Sequence, residues 1–182
     1  MAKSVYIHIP FCKSICSYCD FCKLFYVKKW VSKYLDTLYD EVTNLYEGEE
    51  IKTLYIGGGT PSILNDKELE KLDKIIKVFN LAKNCEFTFE ANITDLNDIY
   101  LTHLKNLGVN RLSIGIESFD ENKLKLMGRE ASFDQASKAI KIARSKGFNN
   151  INVDFMYALP NEDISVTKED IKKIIKLNPD HI

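Results

Sequence analysis

Short β-rich segments alternate with longer amphipathic segments along the whole chain, and this pattern restricts the fold more than any other feature. The segments between the β-rich stretches are long enough for a helix, so consecutive strands can run parallel in one sheet. The sequence therefore predicts an α/β fold built on a parallel sheet. The predicted strands are short and rich in β-branched or aromatic residues, and they cover 5–9, 52–56, 86–90, 111–117 and 151–155.

Between the strands, apolar residues recur at helical spacing, which predicts amphipathic helices. Asn65 and Glu68 form a predicted capping box at the start of one helix. Gly108 and Gly147 are predicted to end two others. The predicted helices cover 30–45, 69–79, 96–107, 132–146 and 167–177.

The predicted strands alternate apolar and polar residues, whereas a parallel strand covered by helices on both faces would be apolar throughout. Glu90, Glu117 and Asp154 fall on the polar face. A polar face shared by several strands fits the inside of a wide, open barrel that holds a polar ligand. We therefore expect a partial (β/α) barrel with these three acids pointing inward. Residues 180–182 follow the last predicted helix where a sixth strand should begin, so the barrel is expected to be incomplete near that strand.

Composition and charge exclude several classes of function. The 182 residues are 45% hydrophobic and 28% charged, which is ordinary for one globular domain. The formal net charge is −1, with lysine and arginine spread among the acidic residues, so we expect no nucleic-acid partner. The sequence contains no run of 18 apolar residues, so it predicts no transmembrane helix. Residues 1–10 lack the features of a signal peptide. We therefore expect a cytoplasmic protein.

Four of the five cysteines lie between positions 12 and 22, and in a reducing compartment such spacing indicates metal or redox chemistry. Cys12, Cys16 and Cys19 form a C-x3-C-x2-C run directly after the first predicted strand, where βα proteins place their active sites. Three thiolates so close together can hold one [4Fe-4S] cluster and leave one iron for a non-protein ligand. A structural zinc site is the alternative, although zinc normally takes four protein ligands.

Two further cysteines and a glycine-rich turn complete the candidate site residues. Cys22 is a fourth ligand, a neighbouring thiol or a core residue, and Cys85 is predicted to be a small buried apolar residue. The sequence GGGTP at 57–61 follows the second predicted strand. It either forms a tight turn only or offers bare backbone for the close approach of a ligand at the same end of the sheet.

Five blocks of the sequence match one family in order: YIHIPFCKSICSYCDF, YIGGGTPSIL, FTFEAN, GVNRLSIGIESF and INVDFMYALP. They resemble the radical S-adenosylmethionine (SAM) proteins related to oxygen-independent coproporphyrinogen III oxidase. The resemblance covers essentially the whole chain. It implies that residues 1–182 form a radical SAM core domain, incomplete at its C-terminus and without the family's C-terminal domain.

The resemblance also implies a cofactor site. Cys12, Cys16 and Cys19 would bind the [4Fe-4S] cluster, and SAM would chelate the open iron. The acids could instead be structural hydrogen-bonding groups, the tyrosines packing residues and Arg129 a solvated charge. The positions that match cofactor contacts in the family are Tyr6, Tyr18, Gly58, Gly59, Thr60, Glu90, Glu117, Arg129 and Asp154.

The function implied by the resemblance is radical chemistry in porphyrin or haem metabolism. It favours an oxidoreductase of the coproporphyrinogen III dehydrogenase type, reduced by a protein such as flavodoxin or ferredoxin. Phe21 occupies the place of a further cysteine of the true oxidases, Glu117 stands where glutamine is usual, and the sequence CDF at 19–21 resembles the haem-chaperone branch. A haem chaperone without oxidase turnover and an inactive truncated remnant are therefore alternatives. The expected partner is a porphyrin-type small molecule, either substrate or haem.

Overall fold

The helices and strands follow the predicted β-then-α order, and the computed structural model describes them over residues 3–182. The elements are β1 (Ser4–Ile9), β2 (Phe11–Cys12), β3 (Leu24–Phe25), α1 (Lys28–Leu45), β4 (Glu50–Gly58), a 3-10 helix (Pro61–Ile63), α2 (Asp66–Ile76), β5 (Asn80–Asn92), α3 (Asp98–Asn106), β6 (Arg111–Glu117), α4 (Glu121–Met127), α5 (Phe133–Ser145), β7 (Ile151–Phe155) and α6 (Ile164–Leu177). None of these helices is long and apolar enough to cross a membrane.

Within residues 3–182, five strands form one sheet in the order β1-β4-β5-β6-β7, and every neighbouring pair is parallel. This confirms the predicted parallel α/β fold. The sheet stays open in this range. Residue 181 forms a parallel bridge with Asn152, and the Val153 amide donates to the His181 carbonyl at 3.0 Å. A sixth strand position therefore begins beside β7, as the sequence predicts.

One face of the sheet carries the hydrophobic core. Phe87 and Phe89 of β5, Ile114 of β6 and Val153 of β7 are at most 1% exposed and pack among apolar residues of the helices. The acids predicted to point inward lie at the alternate positions of these strands and are absent from the core. The apolar residues and the acids therefore lie on opposite faces of the sheet, as the alternation predicts.

Helix capping explains where several elements begin and end. Asn65 accepts from the Glu68 amide at 3.2 Å and Glu68 accepts from the Asn65 amide at 2.9 Å, so the predicted capping box is present. Gly108 and Gly147 follow α3 and α5 with φ of +95° and +81°, a conformation that glycine adopts without steric cost. Helix α6 begins earlier than predicted because Asp163 accepts from the Ser165 amide at 2.7 Å and caps it.

Helix α4 and the small β2–β3 sheet were not predicted from the sequence. Helix α4 has 7 residues, which is too short for its apolar residues to establish a helical period, although Asp120 caps it at the Lys123 amide. Strands β2 and β3 have 2 residues each and pair in parallel. Both elements support the loop that carries the cysteines, which makes them the main addition of the structure to the predicted fold.

Candidate functional site

The predicted site residues meet at the edge of the sheet where the parallel strands end. The cysteine loop follows β1, the glycine turn follows β4, and Glu117 is the last residue of β6. The carboxyl ends of parallel strands share one edge, and sites in such folds form from the loops there. The arrangement of strands therefore brings together segments that are more than 100 residues apart in the sequence, such as those of Cys12 and Glu117.

The cysteine loop is attached to the body of the protein at both ends and in the middle. Cys12 is buried and lies on β2, whose pairing with β3 closes the loop. In the middle, the amide and hydroxyl of Ser17 donate to the carbonyls of Met127 and Leu126 at 3.1 and 2.8 Å. The C-terminal end of α4 thus holds the segment between Cys16 and Cys19.

Hydrogen-bond donors face two of the three cysteine sulfurs. The Thr60 hydroxyl lies 3.5 Å from Cys12 Sγ, and Arg129 Nη1 lies 3.7 Å from Cys16 Sγ. Burial raises the pKa of the Cys12 thiol, and the hydrogen bond from Thr60 opposes that rise. Such donors stabilise thiolate sulfur, which is the form that binds metal.

The side chains of His, Cys, Asp and Glu in residues 3–182 include no group of three or more arranged to hold a single metal ion. A cubane cluster differs from a single ion because each thiolate binds a different iron. The three sulfurs therefore do not have to converge on one point for the predicted chemistry.

The glycine turn lets backbone approach both the cysteines and an acid. A Cβ atom on Gly59 would lie 2.9 Å from Cys12 Sγ and 2.8 Å from the Phe11 carbonyl oxygen. A Cβ atom on Gly57 would lie 2.8 Å from the Glu90 carboxylate carbon. Real Cβ atoms do not approach so closely, so residues with side chains cannot replace either glycine without rearrangement. The turn is therefore more than a change of chain direction.

The three inward acids lie near one another across the polar face. Tyr55 and the Gly58 amide donate to the two oxygens of Glu90 at 2.7 and 3.0 Å. Burial raises the pKa of Glu90, Glu117 and Asp154, and the charge of Asp154 further raises that of the other two. Several partly buried carboxylates around one space favour a ligand that brings positive charge or hydroxyl donors.

Arg129 connects the cysteine loop to the acids. Its Nη2 donates to the Gly115 carbonyl at 2.7 Å, and its Nη1 faces Cys16 Sγ. Within residues 3–182, its Nε is buried and has no hydrogen-bond partner. The alternative of a solvated surface charge is therefore wrong. A buried donor without a partner indicates that another acceptor occupies the site when it is filled.

The backbone at Glu117 has an unusual conformation for a residue with a side chain. Its φ is +67°, and the register between β6 and β7 shifts at this point. The Glu117 carbonyl accepts from the Met156 amide at 2.9 Å, which fixes the end of β6 to the loop after β7. Left-handed backbone in a non-glycine residue is costly and concentrates at functional sites.

The two tyrosines predicted at the site lie at its margins. Tyr6 is exposed, its hydroxyl lies 2.9 Å from His8 Nδ1, and its ring lies 5.8 Å from that of Tyr55. Tyr18 lies between Cys16 and Cys19, and burial together with the charge of Glu117 raises its pKa. Both side chains therefore border the space between the cysteines and the acids.

The structure reduces the alternatives for Cys22 and confirms the burial of Cys85. Cys22 is exposed, which excludes the core residue and leaves a fourth ligand or a neighbouring thiol, whereas Cys85 is buried as predicted. Tyr55 and Ser17 support the site but were not selected from the sequence. The alternation on β4 provides a signal for Tyr55, because it lies two residues before Gly57 on the same face. Ser17 has no such signal, since its partners lie on the unpredicted α4.

Comparison with known proteins identifies the family. Residues 6–177 match the model of the radical SAM superfamily. The chain belongs to the radical SAM superfamily. The haem chaperone HemW of Lactococcus lactis is 38% identical over 180 residues, which cover 98% of this chain and 47% of that protein. HemW of Bacillus subtilis is 40% identical, with 98% and 48% covered.

A solved structure supports the same membership. Coproporphyrinogen III oxidase (HemN) from Escherichia coli, described as a radical SAM enzyme, superposes with a TM-score of 0.89 at 31% identity. The match covers 97% of this chain and 42% of that one. The chain thus spans less than half the length of each of these relatives. Membership of the superfamily implies a [4Fe-4S] cluster and SAM.

The residues at the site fit an iron–sulfur cluster beside SAM. The missing Cβ of Gly59 leaves room next to Cys12 Sγ, and cationic Arg129 beside Cys16 compensates anionic sulfur. The free Nε of Arg129 suits a carboxylate, and the inward acids suit amino and hydroxyl groups. Arg129 and the three acids therefore have chemically suitable counterparts in the implied cofactors.

Proposed function

We propose that Cys12, Cys16 and Cys19 bind one [4Fe-4S] cluster and leave one iron for the amino and carboxylate groups of SAM. The hydrogen-bond donors at Cys12 and Cys16 carry this proposal, because they would stabilise a cluster that has net negative charge. Cys22 would remain a free thiol exposed to solvent.

SAM would lie between the cysteine loop and the polar face of the sheet. Arg129 would bind its carboxylate, Glu90, Glu117 and Asp154 its amino and ribose groups, and Gly58, Gly59 and Thr60 would border it through backbone. Tyr6 and Tyr18 would restrict water at the margins. The chemistry that cluster and SAM supply together is reductive cleavage of the sulfonium to start a radical reaction. The role of this chain is to hold and orient both groups.

Within this superfamily, we propose that the chain forms the core domain of a protein that handles a porphyrin-type ligand in the manner of the haem chaperones. The CDF sequence at 19–21 and the two HemW proteins at 38% and 40% identity favour that branch. The alternative is oxidative decarboxylation of coproporphyrinogen III, favoured by the superposition on HemN. A protein such as flavodoxin or ferredoxin would reduce the cluster from the exposed surface around Phe21.

The cluster proposal is tested by anaerobic reconstitution of the 182-residue chain. About four irons and four sulfides per chain are expected, with SAM altering the electron paramagnetic resonance spectrum of the reduced cluster. Serine variants of Cys12, Cys16 and Cys19 should each fail to form this cluster, whereas Cys22→Ser should load normally. One zinc and no iron per wild-type chain, or a requirement for Cys22, would overturn the proposed ligand set.

The two branches are separated by adding haem, or coproporphyrinogen III together with SAM, dithionite and an electron acceptor for the substrate radical, to the chain that carries the cluster. A shifted Soret band with unchanged porphyrinogen supports the chaperone function. Release of carbon dioxide from the propionates of coproporphyrinogen III supports the oxidase instead. If neither ligand binds, the assignment of a porphyrin-type partner to this part of the protein is wrong, while the cluster and SAM assignments stand on their own measurements.

A further inference from the structure

A line of hydrogen bonds crosses the polar face from residue 181 to Asp154. The Asn152 side-chain amide donates to Asp154 Oδ1 at 2.7 Å and to the Ser113 hydroxyl at 2.8 Å. On its other side, Asn152 Oδ1 is hydrogen-bonded to His181 Nδ1. Asn152 therefore joins one of the candidate cofactor-binding acids to a residue at the next strand position.

The chemistry of the acceptors fixes the direction of this line. An ionised carboxylate only accepts, so Asn152 must present its NH2 group to Asp154 and its oxygen to His181. His181 must then carry its proton on Nδ1 and donate. The His181 backbone is held at the same time, because its carbonyl accepts from the Val153 amide at 3.0 Å. The orientation of the Asn152 amide thus follows from both of its neighbours.

These hydrogen bonds also distinguish the two oxygens of the Asp154 carboxylate. The Asn152 amide and, at 3.4 Å, the Ser113 hydroxyl both donate to Oδ1. Oδ2 is the oxygen that these two groups leave for another donor. Asn152 and Ser113 are 6% and 3% exposed, so they provide a rigid, dry support beneath a carboxylate that is itself open to solvent.

We propose that Asn152 is a positioning residue for SAM, acting through Asp154, with His181 fixing the orientation of its amide. The inference rests on the proposed binding of SAM at Asp154. The hydrogen bond from Asn152 also opposes the rise that burial causes in the Asp154 pKa, so it favours the charged form of the carboxylate as well as orienting it. Asn152 would act on the cofactor only through Asp154 in this arrangement.

The test measures the SAM dissociation constant of the loaded chain by calorimetry. Asn152→Ala should weaken SAM binding about tenfold, in the range seen when the support of a ligand-binding residue is lost. Asn152→Asp should weaken it further, because two carboxylates would then face each other. Asn149→Asp adds the same charge on the exposed surface nearby and should leave the constant unchanged. Thermal unfolding of each variant checks that it folds.

A double-mutant cycle distinguishes positioning from a general structural role. In an Asp154→Asn background, Asn152→Ala should have little further effect on SAM binding, since the residue it acts through is already altered. His181→Ala should weaken SAM binding by a smaller factor than Asn152→Ala. Equal effects of Asn152→Ala in both backgrounds, or no effect in either, would overturn the inference. If wild-type chain carries a cluster but binds no SAM, the proposed function itself fails.

Discussion

Arg129 contacts groups from two different parts of the site through the two ends of its guanidinium. One nitrogen faces the sulfur of Cys16, another binds the Gly115 carbonyl, and Nε is left without a partner among residues 3–182. A lysine would have to make all of its contacts through one nitrogen atom, whereas the planar guanidinium spreads them over three. The geometry of the guanidinium is therefore as important here as its charge.

Replacing Arg129 should change the redox properties of the cluster. Hydrogen bonds and positive charge near cluster sulfur favour the reduced, more negative state, so Arg129→Gln should lower the reduction potential. A redox titration followed by electron paramagnetic resonance measures this shift. Arg144→Gln is the control, because Arg144 binds the Phe148 and Asn178 carbonyls away from the site. An unchanged potential in Arg129→Gln would show that the contact with Cys16 has no electronic role.

Gly59 offers a second test at the scale of one residue. Gly59→Ala would place a methyl group 2.9 Å from Cys12 Sγ and should reduce iron loading severely. Gly48→Ala is the matched control: its φ is +92°, with no atom within 4 Å of the new methyl group. It should cost about 1 kcal/mol of stability without affecting the cluster. Comparable iron content in the two variants would contradict the steric argument.

At the scale of elements, α4 links the cysteine loop to a buried group of charges. Its C-terminal carbonyls bind Ser17, while Lys123 on the same helix binds Glu162 at 2.8 Å, Asp170 at 3.3 Å and the Met156 carbonyl at 2.9 Å. Asp170 also accepts from the amide of Phe119, two residues before α4 begins, at 2.8 Å. One short helix thus connects the loop after β1, the loop after β7 and α6.

Lys123→Met should destabilise the apo chain strongly. It leaves two carboxylates buried without their cation, and breaking a buried ion pair in this way costs about 3 to 5 kcal/mol. Urea denaturation measures the loss of unfolding free energy. Lys125→Met changes an exposed residue of the same helix and should alter stability by less than about 0.5 kcal/mol. Similar losses in the two variants would mean that the buried charges contribute little.

The sequence predicted elements whose signals are local. Alternation placed Glu90 and Asp154 on the inner face, and the Asn65 capping box and the two glycines marked helix ends, because each pattern needs only a few neighbouring residues. Helix α4 is too short to establish a period, and Ser17 and Lys123 gain their roles only from contacts across the fold. The spacing of residues along the chain does not predict such long-range contacts.

For the molecule as a whole, the acids of the polar face and the buried carboxylate of Glu162 should contribute to folding stability with opposite dependences on pH. Burial raises the pKa of the inward acids, so their charged forms weaken the folded state of the apo chain. Glu162 behaves differently. Although burial opposes it, hydrogen bonds from Lys123, Thr167 and the Leu159 amide lower its pKa to about 2. As the pH falls, the chain should therefore lose the stability that Glu162 contributes and gain stability as the inward acids are protonated.

Asp154→Asn should stabilise the apo chain slightly at neutral pH while weakening SAM binding. The folded pKa of Asp154 lies above the unfolded value of about 3.9, so at higher pH its charge costs stability, and this cost disappears below that value. We expect a gain of about 0.5 kcal/mol at pH 7, because the side chain is open to solvent on one side. Urea denaturation at several pH values measures how the gain declines in acid.

Glu162→Gln provides the comparison of opposite sign. Its folded pKa of about 2 lies below the unfolded value of about 4.3, so the charged carboxylate stabilises the chain at neutral pH. The variant should be less stable than wild type at pH 7, and the difference should shrink as pH falls from about 4.3 through about 2. If the two variants changed the unfolding free energy at pH 7 in the same direction, the charge of Asp154 would not destabilise the apo chain. The polar face is expected to hold that charge for SAM binding at a cost in stability, so removing it should stabilise the apo chain.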